Sequence, residues 1–117
     1  MKNIYTPDMW VVLKITIPQQ SKPFYKVFAT WYGGYTQGDA WKLNSGITAV
    51  SVEDDSLIFD GYSGSCYSCR IGAYGTSGYS QNVLNSIVFD SGDFGAKIEL
   101  MPPDTDFLTL DYSGVNY

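Results

Sequence analysis

Histidine is absent from the 117 residues. With it go the commonest general base, the commonest metal ligand, and the Ser-His and Cys-His nucleophile pairs. Cysteine occurs twice, as Cys66 and Cys69 in a C-x-x-C. A zinc site needs four ligands, and neither a second cysteine pair nor a histidine can complete one. The surrounding Ser65-Cys66-Tyr67-Ser68-Cys69-Arg70-Ile71 reads as a strand. Residues i and i+3 of a strand point to opposite faces, so the expectation is two unpaired structural thiols rather than a redox pair. Arginine occurs once, at Arg70, and the net charge is −5. An acidic chain is a poor general ligand for nucleic acid, whose phosphates exchange their counterions for Lys and Arg. No apolar run approaches the length of a membrane span, and Met1–Asp8 has no basic start followed by an apolar stretch. A cytoplasmic protein with no membrane association is expected. Walker loops, dinucleotide fingerprints and nucleophile elbows are absent too.

The composition that remains, 44% hydrophobic and 16% charged, describes a globular chain, and its length suits one mostly-β domain over residues 1–117. Such a chain buries enough surface to be stable without metals or disulfides, so no cofactor and no metal are expected. The charge is uneven. Residues 1–50 carry five lysines against Asp8 and Asp39, a net of +3, and residues 51–117 carry ten carboxylates against Arg70 and Lys97, a net of −8. That asymmetry suits docking onto a basic patch of another protein, and equally suits an ordinary solvated surface.

Met9, Val11, Leu13, Ile15 and Ile17 alternate with Trp10, Val12, Lys14 and Thr16, the pattern of a half-buried strand. Past Pro18–Pro23, Phe24–Tyr32 forms the other arm of an antiparallel hairpin, with Tyr25, Val27, Ala29 and Trp31 on its buried face. Ile47–Glu53, Leu57–Tyr62 and Cys66–Ile71 read as a three-stranded meander turning at Asp54-Asp55-Ser56 and Ser63-Gly64-Ser65. Ser80 is placed to cap a helix whose stripe is Val83, Leu84, Ile87 and Val88, with Gly92 as its stop. Ala96–Met101 follows as a last strand, with Ala96, Ile98 and Leu100 inward, and Thr105–Tyr117 as a short turn around Phe107, Leu108 and Leu110. The expected class is α+β in the order β-β-β-β-β-α-β: one curved antiparallel sheet of five to six strands with a helix packed on it.

Two loops combine aromatics with glycine, Gly33–Ala40, which contains Tyr35 and is flanked by Trp31, Tyr32 and Trp41, and Tyr74–Tyr79. Tyr, Ser and Gly on a rigid sheet are the chemistry of a paratope, because Tyr offers contact area at low entropic cost. The partner-binding candidates are therefore Trp31, Tyr32, Tyr35, Trp41, Tyr74 and Tyr79, with the acidic Asp104, Asp106 and Asp111. The competing reading makes several of these rings core and the glycines simple turns. A small-ligand reading uses Tyr35 to stack a base and Lys42 or Arg70 to hold a phosphate. The carboxylate pairs Asp54/Asp55 and Asp104/Asp106 fit turn chemistry better than a catalytic dyad, and no catalytic residue is assigned.

The segments KVFATWYGGY (Lys26–Tyr35), Trp41–Ile47, Gly61–Ser65 and Gly75–Gly78 resemble those of short accessory proteins of tailed bacteriophages. The resemblance covers most of the chain and carries no catalytic residues. It implies a non-enzymatic protein made in an infected bacterium that binds and inhibits a host protein, as anti-CRISPR and other anti-defence factors do. Two other readings stand beside it, a sponge for a small nucleotide signal and a minor structural component of the virion. Exposed β-edges and aromatics could also build a homodimer.

Overall fold

The computed structural model describes residues 4–18, 20–31, 40–92 and 95–114. Among these residues eight strands run in the order β1 (Ile4–Tyr5), β2 (Met9–Thr16), β3 (Phe24–Trp31), β4 (Ala40–Leu43), β5 (Ile47–Glu53), β6 (Ser56–Gly61) and β7 (Cys66–Arg70), with β8 (Lys97–Leu100) last. The helix α1 (Gly78–Gly92) lies between β7 and β8. The strands form two four-stranded sheets, ordered β1-β7-β6-β5 and β4-β3-β2-β8. The class is α+β, and the single sheet of five to six strands expected from the sequence is corrected to two sheets with eight strands.

The second sheet exists because β2 and β3 bury both of their faces. Their alternation is real, but both faces are buried. Trp10, Val12, Tyr25, Val27 and Ala29 join Ile47, Leu57, Phe59, Tyr67, Cys69 and Phe107 in a core between the two sheets. Val11, Leu13, Ile15, Phe24 and Phe28 join Leu84 of the helix in a second core on the opposite face. The β2–β3 hairpin is therefore the middle layer of three, and the continuous run Met9–Leu13 is that of a strand covered on both sides. Pairing from Met9↔Thr30 to Ile15↔Phe24 holds the hairpin in register.

The meander β5-β6-β7 is antiparallel throughout, with Val52↔Leu57 beside the first turn and Leu57↔Cys69 across β6 and β7. Asp54 takes a positive φ of 54° at that turn, a conformation Asp tolerates better than most side chains. Two strands were not anticipated. β1 pairs in parallel with β7 through Ile4↔Cys66 and Tyr5↔Tyr67, and β4 extends the other sheet through Phe28↔Leu43 and Trp31↔Ala40. Cys66 and Cys69 are buried and unpaired. Cys69 belongs to the inter-sheet core, while Cys66 lines a hollow with Ile4 and Ser68 on the other side of the same sheet.

The helix starts three residues earlier than its expected cap. Ser77 is the N-cap: its Oγ accepts the Ser80 N–H (3.1 Å), and Ser80 Oγ accepts the Ser77 N–H (2.8 Å). This reciprocal pair closes two of the open donors at the helix start. Only Leu84 of the apolar stripe is fully covered, Val83 and Ile87 are half-buried, and Val88 is exposed. β8 also presents itself differently from the expectation, since Leu100 is half exposed. None of the described helices is long and apolar enough to cross a membrane.

Candidate functional site

An apolar cleft of about 230 Å³ opens where the inter-sheet core reaches the surface. Its floor is Trp10, Leu57, Tyr74 and Phe107, and its rim carries Val52, Ile71 and Leu108. The rim residues come from the end of β5, the turn after β7 and the segment following β8, and expose 51%, 53% and 51% of their surface. Val52 shares the inward face of its sheet with Leu57, but it stands where the second sheet no longer covers that face.

The floor is built tightly. Trp10 lies 4.8 Å from Tyr74, 5.4 Å from Phe59 and 5.7 Å from Phe107 between ring centroids. Its indole N–H donates to the Arg70 carbonyl at 2.8 Å. The Tyr74 hydroxyl donates to the Met101 carbonyl (2.5 Å) and accepts the Val12 N–H (3.1 Å), so it links β2 to the residue after β8. Burial raises the Tyr74 pKa, opposed in part by that Val12 bond. The polar ends of both rings are thus occupied inside the protein, and the cleft receives their apolar faces. The one carboxylate on its lining is Asp106, whose Oδ1 accepts the Leu108 N–H (3.1 Å) and fixes the turn. Beside the cleft, Asp55 and Arg70 share a shallower hollow with Ile71, Gly72 and Ala73.

The surface nominated from the sequence is distributed differently. Trp31 is half-buried, donates its indole N–H to the Thr6 carbonyl (3.0 Å) and meets Tyr5 edge-on at 6.3 Å. Trp41 lies on β4, 40% exposed, with its ring stacked on Phe28 at 5.6 Å. Tyr32 and Tyr35 lie outside the described residues. Tyr79 is exposed in the first turn of α1, and Tyr74 is the internal link just described. Asp104 and Asp106 are exposed on the segment that walls the cleft. Asp111 is committed internally: it pairs with Lys22 at 3.2 Å and accepts bonds from the Ser113 N–H and hydroxyl. Those Ser113 bonds first, and the Lys22 ammonium with them, hold its carboxyl down to about 2.

Of the small-ligand set, Tyr35 lies outside the described residues, and Lys42 and Arg70 stand in different sheets. Lys42 sits on β4 with its ammonium 5.1 Å from the Tyr5 ring centroid, whereas Arg70 ends β7 in the other sheet, beside the cleft. Among the described residues, no cluster of three or more Cys, Asp or Glu could hold a metal ion.

The rim residues Val52, Ile71 and Leu108 were not singled out by sequence reasoning. They stand in three separate segments, and each alone is an ordinary apolar residue at the end of an element. The available signal was the presence of large aliphatics close to turns, Val52 with only Glu53 between it and Asp54-Asp55, and Ile71 directly before Gly72. Compared with family models, curated proteins and solved structures, the chain matches none of them.

Proposed function

We propose that the protein is a non-enzymatic binding module that captures one apolar side chain of a partner protein in the Trp10/Phe107 cleft. The observation that carries this reading is the ring of Val52, Ile71 and Leu108 standing half exposed around an aromatic floor. Clustered exposed apolar residues on a folded domain mark contact sites more often than isolated ones do. The cleft is smaller than the roughly 300–1,000 Å³ of drug-sized ligand pockets, and its size suits a single anchor side chain. Asp55, Asp104 and Asp106 give the surroundings a negative edge, suited to a basic patch on the partner. The resemblance to accessory proteins of tailed phages makes the partner a bacterial host protein, a defence factor among the candidates, and makes blockade the consequence of binding.

The test is capture of host proteins on the tagged chain, run beside Ile71→Asp and Leu108→Asp. Both substitutions place a charge at the rim of an apolar contact and leave the core intact, so their melting temperatures stay within a few degrees of the parent. A partner held at near-equal stoichiometry by the parent and lost from both variants supports the reading. A partner that stays on both variants moves the site elsewhere.

A further inference from the structure

Another apolar surface among the described residues lies along the β8 edge of the β4-β3-β2-β8 sheet, apart from the cleft and sharing none of its lining. Leu84, Val88 and Phe89 of α1, with Ile98 and Leu100 of β8, line a shallow hollow there, and Phe89 is 78% exposed. Among the described residues β8 pairs with β2 alone, so no described strand covers its outer side.

The Met101 N–H donates to the Val12 carbonyl at 2.9 Å. Alternation along the strand then turns the amides of Lys97 and Glu99 toward β2, and those of Ile98 and Leu100 outward. The Ala96 N–H is already taken by the Ser91 carbonyl (3.1 Å). An antiparallel partner strand can therefore exchange both bonds with Ile98, whereas opposite Ala96 the Leu100 N–H can donate but the Leu100 carbonyl gains no donor.

We propose that this edge is occupied by the β8 strand of a second copy, in an antiparallel register centred on Ile98. A twofold axis on Lys97 would set Lys97 against Lys97, and one on Glu99 would set Glu99 against Glu99. A twofold on Ile98 sets Lys97 of each copy against Glu99 of the other. It also makes Ile98↔Ile98 a hydrogen-bonded pair and leaves Lys97↔Glu99 in the non-hydrogen-bonded position, where facing side chains approach most closely. The charge pattern of Lys97-Ile98-Glu99-Leu100 is thus complementary to itself in one register only. The paired copies form a continuous eight-stranded sheet with both helices on one side, and the two hollows, each with its Phe89, face each other across the axis. An isologous contact of this kind is closed and stops at two copies.

Sedimentation velocity across a micromolar concentration range reads the association directly. The parent is expected to form dimers, and Glu99→Lys, which faces lysine with lysine at two symmetric positions, to weaken them by about tenfold. Lys97→Glu weakens them similarly, and the double exchange Lys97→Glu/Glu99→Lys restores the parental constant. Phe89→Asp, at a position too exposed to matter for the fold, also shifts the protein to monomer. A parent that stays monomeric throughout overturns the proposal, as does a dimer indifferent to Glu99→Lys or a double exchange that fails to restore it. Because the cleft residues are untouched, loss of the dimer leaves partner capture readable by itself.

Discussion

Tyr74 carries its hydroxyl into the gap between β2 and the residue that follows β8, where it serves Val12 and Met101 at once. Removing that oxygen strands the buried Val12 N–H and the part-buried Met101 carbonyl together. Tyr74→Phe is expected to lower stability by about 1–3 kcal/mol, read from the midpoint of urea unfolding. Gly114 is constrained by approach rather than by φ. A Cβ there would stand 2.1 Å from the Pro23 carbonyl oxygen, so Gly114→Ala should detach the segment bearing Tyr112 and Ser113, seen as faster proteolysis after Leu110. Asp111 holds that segment through Ser113 and Lys22, and its carboxyl is depressed to about 2. A depressed carboxylate contributes above its unfolded pKa and is lost as pH falls through the folded one. The Tyr112 resonances should therefore report release of the tail between about pH 4 and pH 2, and Asp111→Asn should remove that transition. Tyr67 shows the opposite sign. Burial first, then Tyr5 and Cys69, push it up to about 12, so its contribution is complete below pH 10 and lost as pH rises through 12. Burial pushes the Cys69 thiol up in the same direction.

The helix and the central hairpin show how far pattern reading reaches. Ser77→Ala removes the acceptor for the Ser80 N–H, and about 1 kcal/mol of stability should go with it in thermal unfolding. The sequence pattern located α1 within three residues, because serine recurs at Ser77 and Ser80 and either could cap. The periodicity of β2 was legible as well, yet alternation names two faces without saying that both are covered. Trp10 and Val12, opposite Val11 and Leu13, carried that information: a face bearing tryptophan and valine needs its own cover. Ala40–Leu43 and Ile4–Tyr5 were illegible for a different reason. At four and two residues they are too short for a period, and they exist because a neighbouring edge, β3 or β7, offers them hydrogen bonds. The aromatic surface divides similarly. Composition marks Trp31, Trp41 and Tyr74 as unusual, but only tertiary structure separates a ring stacked on Phe28 from one tied into the core.

At the level of the whole molecule, three layers share one hairpin, and the two apolar surfaces lie on different sides of it. The cleft draws on Val52, Ile71 and Leu108, brought together from three segments that span positions 52 to 108. Contacts of that span leave no local signature, which is why the candidate site was the least legible part of the chain. The charge asymmetry, by contrast, was legible and is partly consumed in the fold: Lys22 of the basic half pairs with Asp111 of the acidic half. Each sheet also draws on both parts of the chain, with β1 beside β7 and β2 beside β8.

That interleaving bears on how the protein is made. Trp10 leaves the ribosome early, but the rings that enclose it, Phe59, Tyr74 and Phe107, follow over about the next hundred residues. At about 5–20 residues per second the wait lasts some 5–20 s. Throughout that interval the nascent chain carries an unburied indole and two unfinished sheets, so it is a client for chaperones until its final turn closes the core.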